Sequence, residues 1–246
     1  PQSAAGKTVM TTEPKFVPDD AVTVKLDNNI ALKVKMIDCV GYIVPEALGT
    51  IENGQPRMVN TPWQEEPMPF VEAAEMGTEK VIKEHSTIGM LITSDGSVGE
   101  ISRESFISAE ERIVKELKEL GKPFAIILNS SHPDAEESIA LAYSLEEKYN
   151  VPVALVSCID LNAEDIQHIL ELVLYEFPVS DIHISQPNWI TALPANHKIK
   201  SSVYHSICAC AEKIRKAGDV KKVFSESFDN EFVKSIYVDT IDLGTG

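Results

Sequence analysis

Asp38 and Gly41 close the apolar run Val34-Lys35-Met36-Ile37-Asp38-Cys39-Val40-Gly41 in the spacing Asp-x-x-Gly. A carboxylate where a buried parallel strand emerges can hold Mg²⁺ through water, and a glycine three residues on lets the backbone approach a terminal phosphate. That pairing is the metal site and second switch of a nucleotide hydrolase. Three further expected strand ends carry polar groups: Thr93-Ser94-Asp95, Asn129-Ser130-Ser131 and Ser157-Cys158. Ligands of open parallel sheets sit at such ends. In nucleotide hydrolases an Asn placed like Asn129 braces loops around the base, with Ser130 beside it, and a Ser placed like Ser157 faces the base. Each residue has a plainer reading as a turn former, because Asp, Asn, Ser and Gly all favour turns. The flanking elements have to decide between the two.

Those elements begin with two strand candidates, residues 21–26 and 30–38, joined by Asn28-Asn29 as a tight hairpin turn. Residues 1–20 read as an irregular loop punctuated by Pro14 and Pro18. Residues 42–70 carry Pro45, Pro56, Pro62, Pro67 and Pro69 and read as a functional loop or lid containing Trp63. A helix is expected over 72–85, then a regular alternation follows. Apolar strands at 87–93, 124–128 and 153–156 are separated by helices over 105–120 and from Pro133-Asp134 to about Tyr149. A last helix, capped by Asp160 or Asn162, runs through Ile166, Ile169, Leu170, Val173 and Leu174 and stops before Pro178. Continuous apolar strands alternating with amphipathic helices predict a mostly parallel sheet with helices on both faces. Beyond Pro178 the pattern changes to a strand candidate at 179–184, a helix over 197–217 and a mixed tail. This stretch reads as the start of a second, α+β module, giving domains 1–178 and 179–246.

The bulk composition narrows the function classes. Of 246 residues, 43% are hydrophobic and 24% charged, which suits a globular chain with a sizeable core. The formal net charge of -16 repels phosphate backbones and anionic headgroups, so nucleic acid is excluded as a partner. A nucleotide remains compatible, because its site is local and brings its own Mg²⁺. Cys39, Cys158, Cys208 and Cys210 have neither zinc nor disulfide spacing and read as reduced thiols. Cys208 and Cys210 are two apart, so on a helix they face different ways. The six histidines have no ligand spacing, and Glu110-Glu111 and Glu146-Glu147 read as solvated helix faces. No apolar run is long enough to span a bilayer. The chain opens on Pro1 and is expected to be a piece of a longer protein.

Several long strings carry a resemblance. Residues 1–8 (Pro-Gln-Ser-Ala-Ala-Gly-Lys-Thr), 10–18, 38–42, 60–63 and 84–89 resemble the stage IV sporulation protein A family of endospore-forming bacteria. The likeness runs through most of residues 1–178 and continues more weakly beyond. It implies a P-loop NTPase domain of the translation-factor-related class that hydrolyses ATP with Mg²⁺, in a spore coat morphogenetic protein that self-assembles into a polymer. On that pattern Thr11 and Thr12 belong to the first switch and sense Mg²⁺ and the γ-phosphate, Asp38 is the metal-site aspartate, and Gly41 is the γ-phosphate glycine. The resemblance further implies the mother-cell cytoplasm at the outer forespore membrane surface as its location. It implies a coat morphogenetic protein and a small amphipathic membrane-anchoring peptide as partners.

Three departures from the general GTPase pattern matter. A guanine reader needs Asn-Lys-x-Asp, but Asn129 is followed by Ser130, Ser131 and His132. Without that Asp, guanine loses two hydrogen bonds and adenine becomes the expected base. Tyr42 stands where a Ras-like enzyme has its water-orienting Gln. Finally, no complete Gly-x-x-x-x-Gly-Lys-Ser/Thr is present. Gly6-Lys7-Thr8 has the right ending but lacks the first glycine, a preceding strand and a following helix. The first strand and the phosphate loop are therefore expected to be missing from this chain and to lie upstream. Two alternatives stay open: an assembly scaffold with a vestigial nucleotide site, and a GTPase.

Overall fold

The computed structural model describes residues 15–25, 31–62 and 64–243. Gly6-Lys7-Thr8, Thr11, Thr12, Asn28-Asn29 and Trp63 lie outside the described residues. The chain divides into two compact units, residues 1–173 and 174–246.

The centre of the first unit is a three-stranded parallel sheet, β7 (Gly89–Ser94), β8 (Phe124–Asn129) and β9 (Val153–Val156), in that spatial order. Gly89 pairs with Phe124 and Ser94 with Asn129. Ile126 pairs with Val153 and Asn129 with Val156. The crossovers are helices α2 (Arg103–Glu119) and α3 (Glu136–Tyr149), and α4 (Ala163–Tyr175) follows β9. Alternation along the strands divides the core between two faces. Leu91, Ile126 and Leu128 pack against Val114 and Leu117 of α2 and Ala142, Leu145 and Tyr149 of α3. Ile127 and Ala154 pack against Ile169 of α4. The expected α/β alternation with helices on both faces is therefore present, because only strands buried on both sides read as unbroken apolar runs.

The helix ends explain themselves locally. Gly121, at φ 63°, supplies the left-handed residue after α2, and Asn150, at φ 51°, does so after α3. Asn162 caps α4: its Oδ1 accepts from the backbone N–H of Glu164 (2.7 Å) and Asp165 (3.0 Å). Asp165 returns the bond by accepting the Asn162 N–H at 3.0 Å.

Five sequence expectations are corrected in this fold. The segment expected as a buried parallel strand is β2 (Ala31–Asp38), which pairs antiparallel with β1 (Lys15–Lys25) in a separate two-stranded sheet. Met36 is 52% exposed and Asp38 is exposed. The lysines alternating at 33 and 35 suit a half-solvated hairpin better than a buried strand. β1 also begins at Lys15, inside the expected loop; the register breaks between Val17 and Val22, and Pro18 falls in that break, where its missing N–H interrupts no ladder.

The proline-rich stretch is two small hairpins, β3 (Ile51–Glu52) with β4 (Gln55–Pro56), and β5 (Met58–Thr61) with β6 (Gln64–Pro69). Asn53 (φ 52°) and Gly54 (φ 76°) turn the first, an Asn-Gly signal for a two-residue turn that was legible in the sequence. After β6, helix α1 (Phe70–Lys80) continues through a π-type turn over Val81–His85.

Glu110 is 2% exposed and lies in the core rather than on a solvated face, whereas Glu111 is exposed.

The second unit contains α5 (Asn188–Ala192), α6 (Lys198–Ala211) and α7 (Asp219–Glu226). Cys210, Ile214 and Phe224 form its apolar cluster, with Val179, Val223 and Val238 packed against them. Cys208 is exposed and Cys210 buried, as their spacing requires. The expected strand over 179–184 is not formed; among the described residues the segment has no ladder partner.

Candidate functional site

The carboxyl ends of β7, β8 and β9 come together as one polar rim. Asn129, the last residue of β8, reaches across to the loop after β9: its Oδ1 accepts from the backbone N–H of Cys158 at 2.9 Å. The amide thus fixes the start of the turn in which the Ser157 hydroxyl donates to Asp160 Oδ2 at 2.9 Å. Ser130 is fully buried. Its hydroxyl shares a hydrogen with Ser138 (3.2 Å) and accepts the His132 N–H (2.9 Å). Ser130 therefore shapes the loop from beneath, while Asn129 and Ser157 are half-buried and His132 is exposed.

Asp95 ties this loop to the one after β7. Its Oδ1 accepts from the Ser97 hydroxyl (2.6 Å) and N–H (2.9 Å), and its Oδ2 accepts from the Ser138 hydroxyl (3.0 Å). Ser131 completes the knot: its N–H donates to Ser97 Oγ at 2.8 Å and its hydroxyl to the Ser97 carbonyl at 3.0 Å. Gly96 is needed where it stands. Its φ is +88°, and a Cβ there would meet the Arg103 backbone nitrogen at 2.8 Å.

Directly behind the rim lies a buried ionic network. Glu110 accepts two bonds from Arg103, Nη1 to Oε2 at 2.7 Å and Nη2 to Oε1 at 2.9 Å. Thr93 (2.8 Å) and Tyr149 (2.9 Å) donate their hydroxyls to the remaining positions. Arg103 also reaches the Ser94 carbonyl at 3.3 Å, so the network holds the end of β7 where the Asp95 loop begins. A signal for Glu110 exists in the sequence: it falls in the Ile107, Val114, Leu117 stripe and lies two helical turns after Arg103.

Both carboxyls are held below the ordinary range. At Asp95, burial pushes the value up, but hydrogen bonds from Ser130, Ser97 and Ser138 outweigh it. At Glu110, burial again pushes up, and Arg103, Thr93 and Tyr149 outweigh it. A group depressed in the folded state adds stability that is complete above its unfolded pKa and is lost as pH falls through its folded pKa. The unfolding midpoint of the first unit is therefore expected to be level above about pH 5 and to decline below about pH 4. Asp95→Asn should flatten part of that decline in thermal unfolding at stepped pH. A midpoint unchanged between pH 5 and pH 3 would contradict it.

Asp38 ends β2, in a sheet separate from that of the rim, and Gly41 follows it. The chain leaves β2 through Cys39, whose thiol is pushed up by burial while hydrogen bonds to Gly41 and Thr78 oppose this. Gly41, at φ 79°, sits in open space, so its backbone angle alone accounts for a glycine there. Tyr42 then docks on the second half of α2. Its hydroxyl donates to Glu116, and the Arg112 guanidinium lies 4.0 Å from its ring centroid. Burial and the Glu116 carboxylate raise the Tyr42 pKa well above the ordinary phenol range. Sequence reasoning gave Tyr42 no partner; α2 supplies both. The rim thus unites Asn129, Ser130 and Ser157, and the segment after Asp38 is anchored separately. Among the described residues, no group of three or more His, Cys, Asp or Glu is placed to hold a metal.

A family model described as the stage IV sporulation protein A ATPase domain matches residues 1–178, and one described as the middle domain of the same protein matches residues 179–246. The chain is 48% identical over all its 246 residues to stage IV sporulation protein A of Clostridioides difficile (strain 630). It is 46% identical to the protein of that name from Bacillus subtilis (strain 168), again over 246 residues, and 46% identical to the Bacillus anthracis protein. In each case the match covers the whole chain and 50% of the relative, so the chain spans about half the length of these curated relatives. No solved structure matches it. With two adjoining domain models and this identity along its entire length, the chain belongs to the stage IV sporulation protein A family.

Proposed function

We propose that this chain carries the base-binding and metal-binding parts of an Mg²⁺-dependent ATPase, within a spore coat morphogenetic protein that assembles with itself. The observation that carries the reading is the Asn129–Cys158 hydrogen bond at the carboxyl edge of a parallel sheet. It joins the two loops that would surround a base, in a domain whose family model is that of an ATPase. Ser130-Ser131-His132 in place of Lys-x-Asp favours adenine, because guanine would find no carboxylate for its N1–H and amino group. Asn129 and Ser157 would border the base, with Ser130 supporting them from below.

Mg²⁺ bound to a nucleoside triphosphate needs only one or two protein carboxylates, since phosphates and water fill its octahedron. The exposed Asp38 carboxylate suits that donor set, and the metal would supply charge neutralisation at the terminal phosphate. Thr11 and Thr12 would sense the same group, and Gly41 would let the backbone approach it.

Among the described residues β7 has an unpaired edge, and Ile92 in its middle is 63% exposed although its sheet partner Ile127 is 7% exposed, so this side of the sheet has room for a further element. Recruitment to the outer forespore membrane, from the mother-cell cytoplasm, would pass through an amphipathic peptide and a coat protein. No helix among the described residues is long and apolar enough to cross a membrane.

Phosphate release by the full-length protein tests the activity. ATP turnover well above GTP turnover is expected. A GTP preference would overturn the argument from Ser130-Ser131-His132, and no release from either would leave the scaffold. The scaffold reading has its own support in the separate anchoring of Cys39 and Tyr42 to α1 and α2.

A further inference from the structure

Residues 179–185, Val-Ser-Asp-Ile-His-Ile-Ser, have the composition of a short strand: three β-branched residues in seven, with Ile182 and Ile184 at alternate positions, bounded by Pro178 and Pro187. In the structure they form no ladder. A single antiparallel bridge, Pro178 to Lys216, marks their start. Residues 180–185 are all exposed, with Ile184 at 44%. Among the described residues, none of the N–H groups of 179–185 reaches a backbone acceptor. A β-prone segment with its backbone polar groups turned to water is a template for pairing with another strand.

We propose that residues 179–185 pair antiparallel with the same residues of a second copy of this chain. The proposal deepens the self-assembly reading above and rests on it. Charge decides for a second copy. Two chains of net charge -16 repel each other, so a contact between them must avoid placing carboxylates face to face. Antiparallel pairing centred on Ile182 does so. It sets Asp181 opposite the second copy's His183, and His183 opposite the second copy's Asp181, giving two carboxylate–imidazole pairs on one face. The other face sets Ile182 against the second copy's Ile182. The contact is isologous and closes on itself as a dimer, so a polymer needs at least one further interface elsewhere on the molecule.

Sedimentation velocity of the full-length protein across a concentration series tests this, with three proteins compared. The wild type is expected to associate. His183→Asp, which puts carboxylates opposite carboxylates, should weaken dimerisation about tenfold or more. Asp181→Lys combined with His183→Asp again sets a hydrogen-bond donor opposite each carboxylate and should recover the wild-type affinity, which no loss of folding could imitate. Thermal midpoints should agree among the three, because the positions are exposed. Association unchanged in His183→Asp would overturn this proposal and leave self-assembly standing. A wild type that stays monomeric would overturn self-assembly itself. Amide protection of 179–185 in the monomer would show a strand of the same polypeptide in that place and would also overturn it.

Discussion

Glu110→Gln is expected to destabilise the first unit by about 3–5 kcal/mol, the range for removing one partner of a buried ion pair. All four contacts of the Glu110 carboxylate are donors: two from Arg103, one from Thr93 and one from Tyr149. An amide replaces one acceptor oxygen with a donor facing a donor, and it leaves the Arg103 guanidinium, whose side chain is 16% exposed, without its counter-charge. For a domain of this size the loss lowers the thermal midpoint by on the order of 10 °C. Differential scanning calorimetry of the two proteins measures it. A change within about 0.5 kcal/mol, as for an ordinary surface site, would show that the network is not buried as described. Replacing both partners, Arg103→Met with Glu110→Leu, should recover part of the loss, since the desolvation of two charges disappears with them. Thr93 and Tyr149 would still lack their acceptor, so recovery stays incomplete.

Asp38→Ala is expected to have the opposite profile. Under the proposed ATPase reading, the full-length protein loses about 100-fold or more in ATP turnover, because several kcal/mol of transition-state charge stabilisation pass through the metal. Asp38 is exposed at the end of a two-stranded ladder, so its loss should shift stability by no more than about 0.5 kcal/mol. Steady-state phosphate release and the unfolding midpoint are read on the same sample. Unchanged turnover would remove Asp38 from the metal site. A collapse of both would mark it as structural. The two variants therefore separate the groups that hold the sheet from the group proposed to act on the nucleotide.

The contrast between Glu110 and Asp38 also shows where local reasoning ends. Each is a carboxylate in ordinary surroundings along the chain, one in a charged helix run and one after an apolar run. The helix residue is buried because Arg103, Thr93 and Tyr149 converge on it from α2, β7 and α3. The strand residue is exposed because, among the described residues, β2 pairs with β1 alone, and Met36 on the same strand is 52% exposed. The exposure of Asp38 is not periodic and could not be read from spacing, whereas Glu110 sits at helical spacing within the Ile107, Val114, Leu117 stripe. The Asn129 brace is different. An Asn directly after Phe-Ala-Ile-Ile-Leu had few places to go but the neighbouring strand-end loop, and it is found there. The two short hairpins of the proline-rich stretch were half-legible, through Asn53-Gly54, and were obscured by the prolines around them.

By itself, the sequence determined the alternation of strands and helices from β7 to α4, the two candidate caps of α4, and family membership. All of these rest on local apolar periodicity, turn chemistry and long matching strings. Only the tertiary structure decided which strands share a sheet, which carboxylate is buried, and that residues 179–185 find no strand partner among the described residues. The physical reason is that burial and strand pairing are properties of two segments at once. A residue's own neighbours in the chain set its conformation, but the segment that covers it or bonds to it comes from elsewhere in the fold.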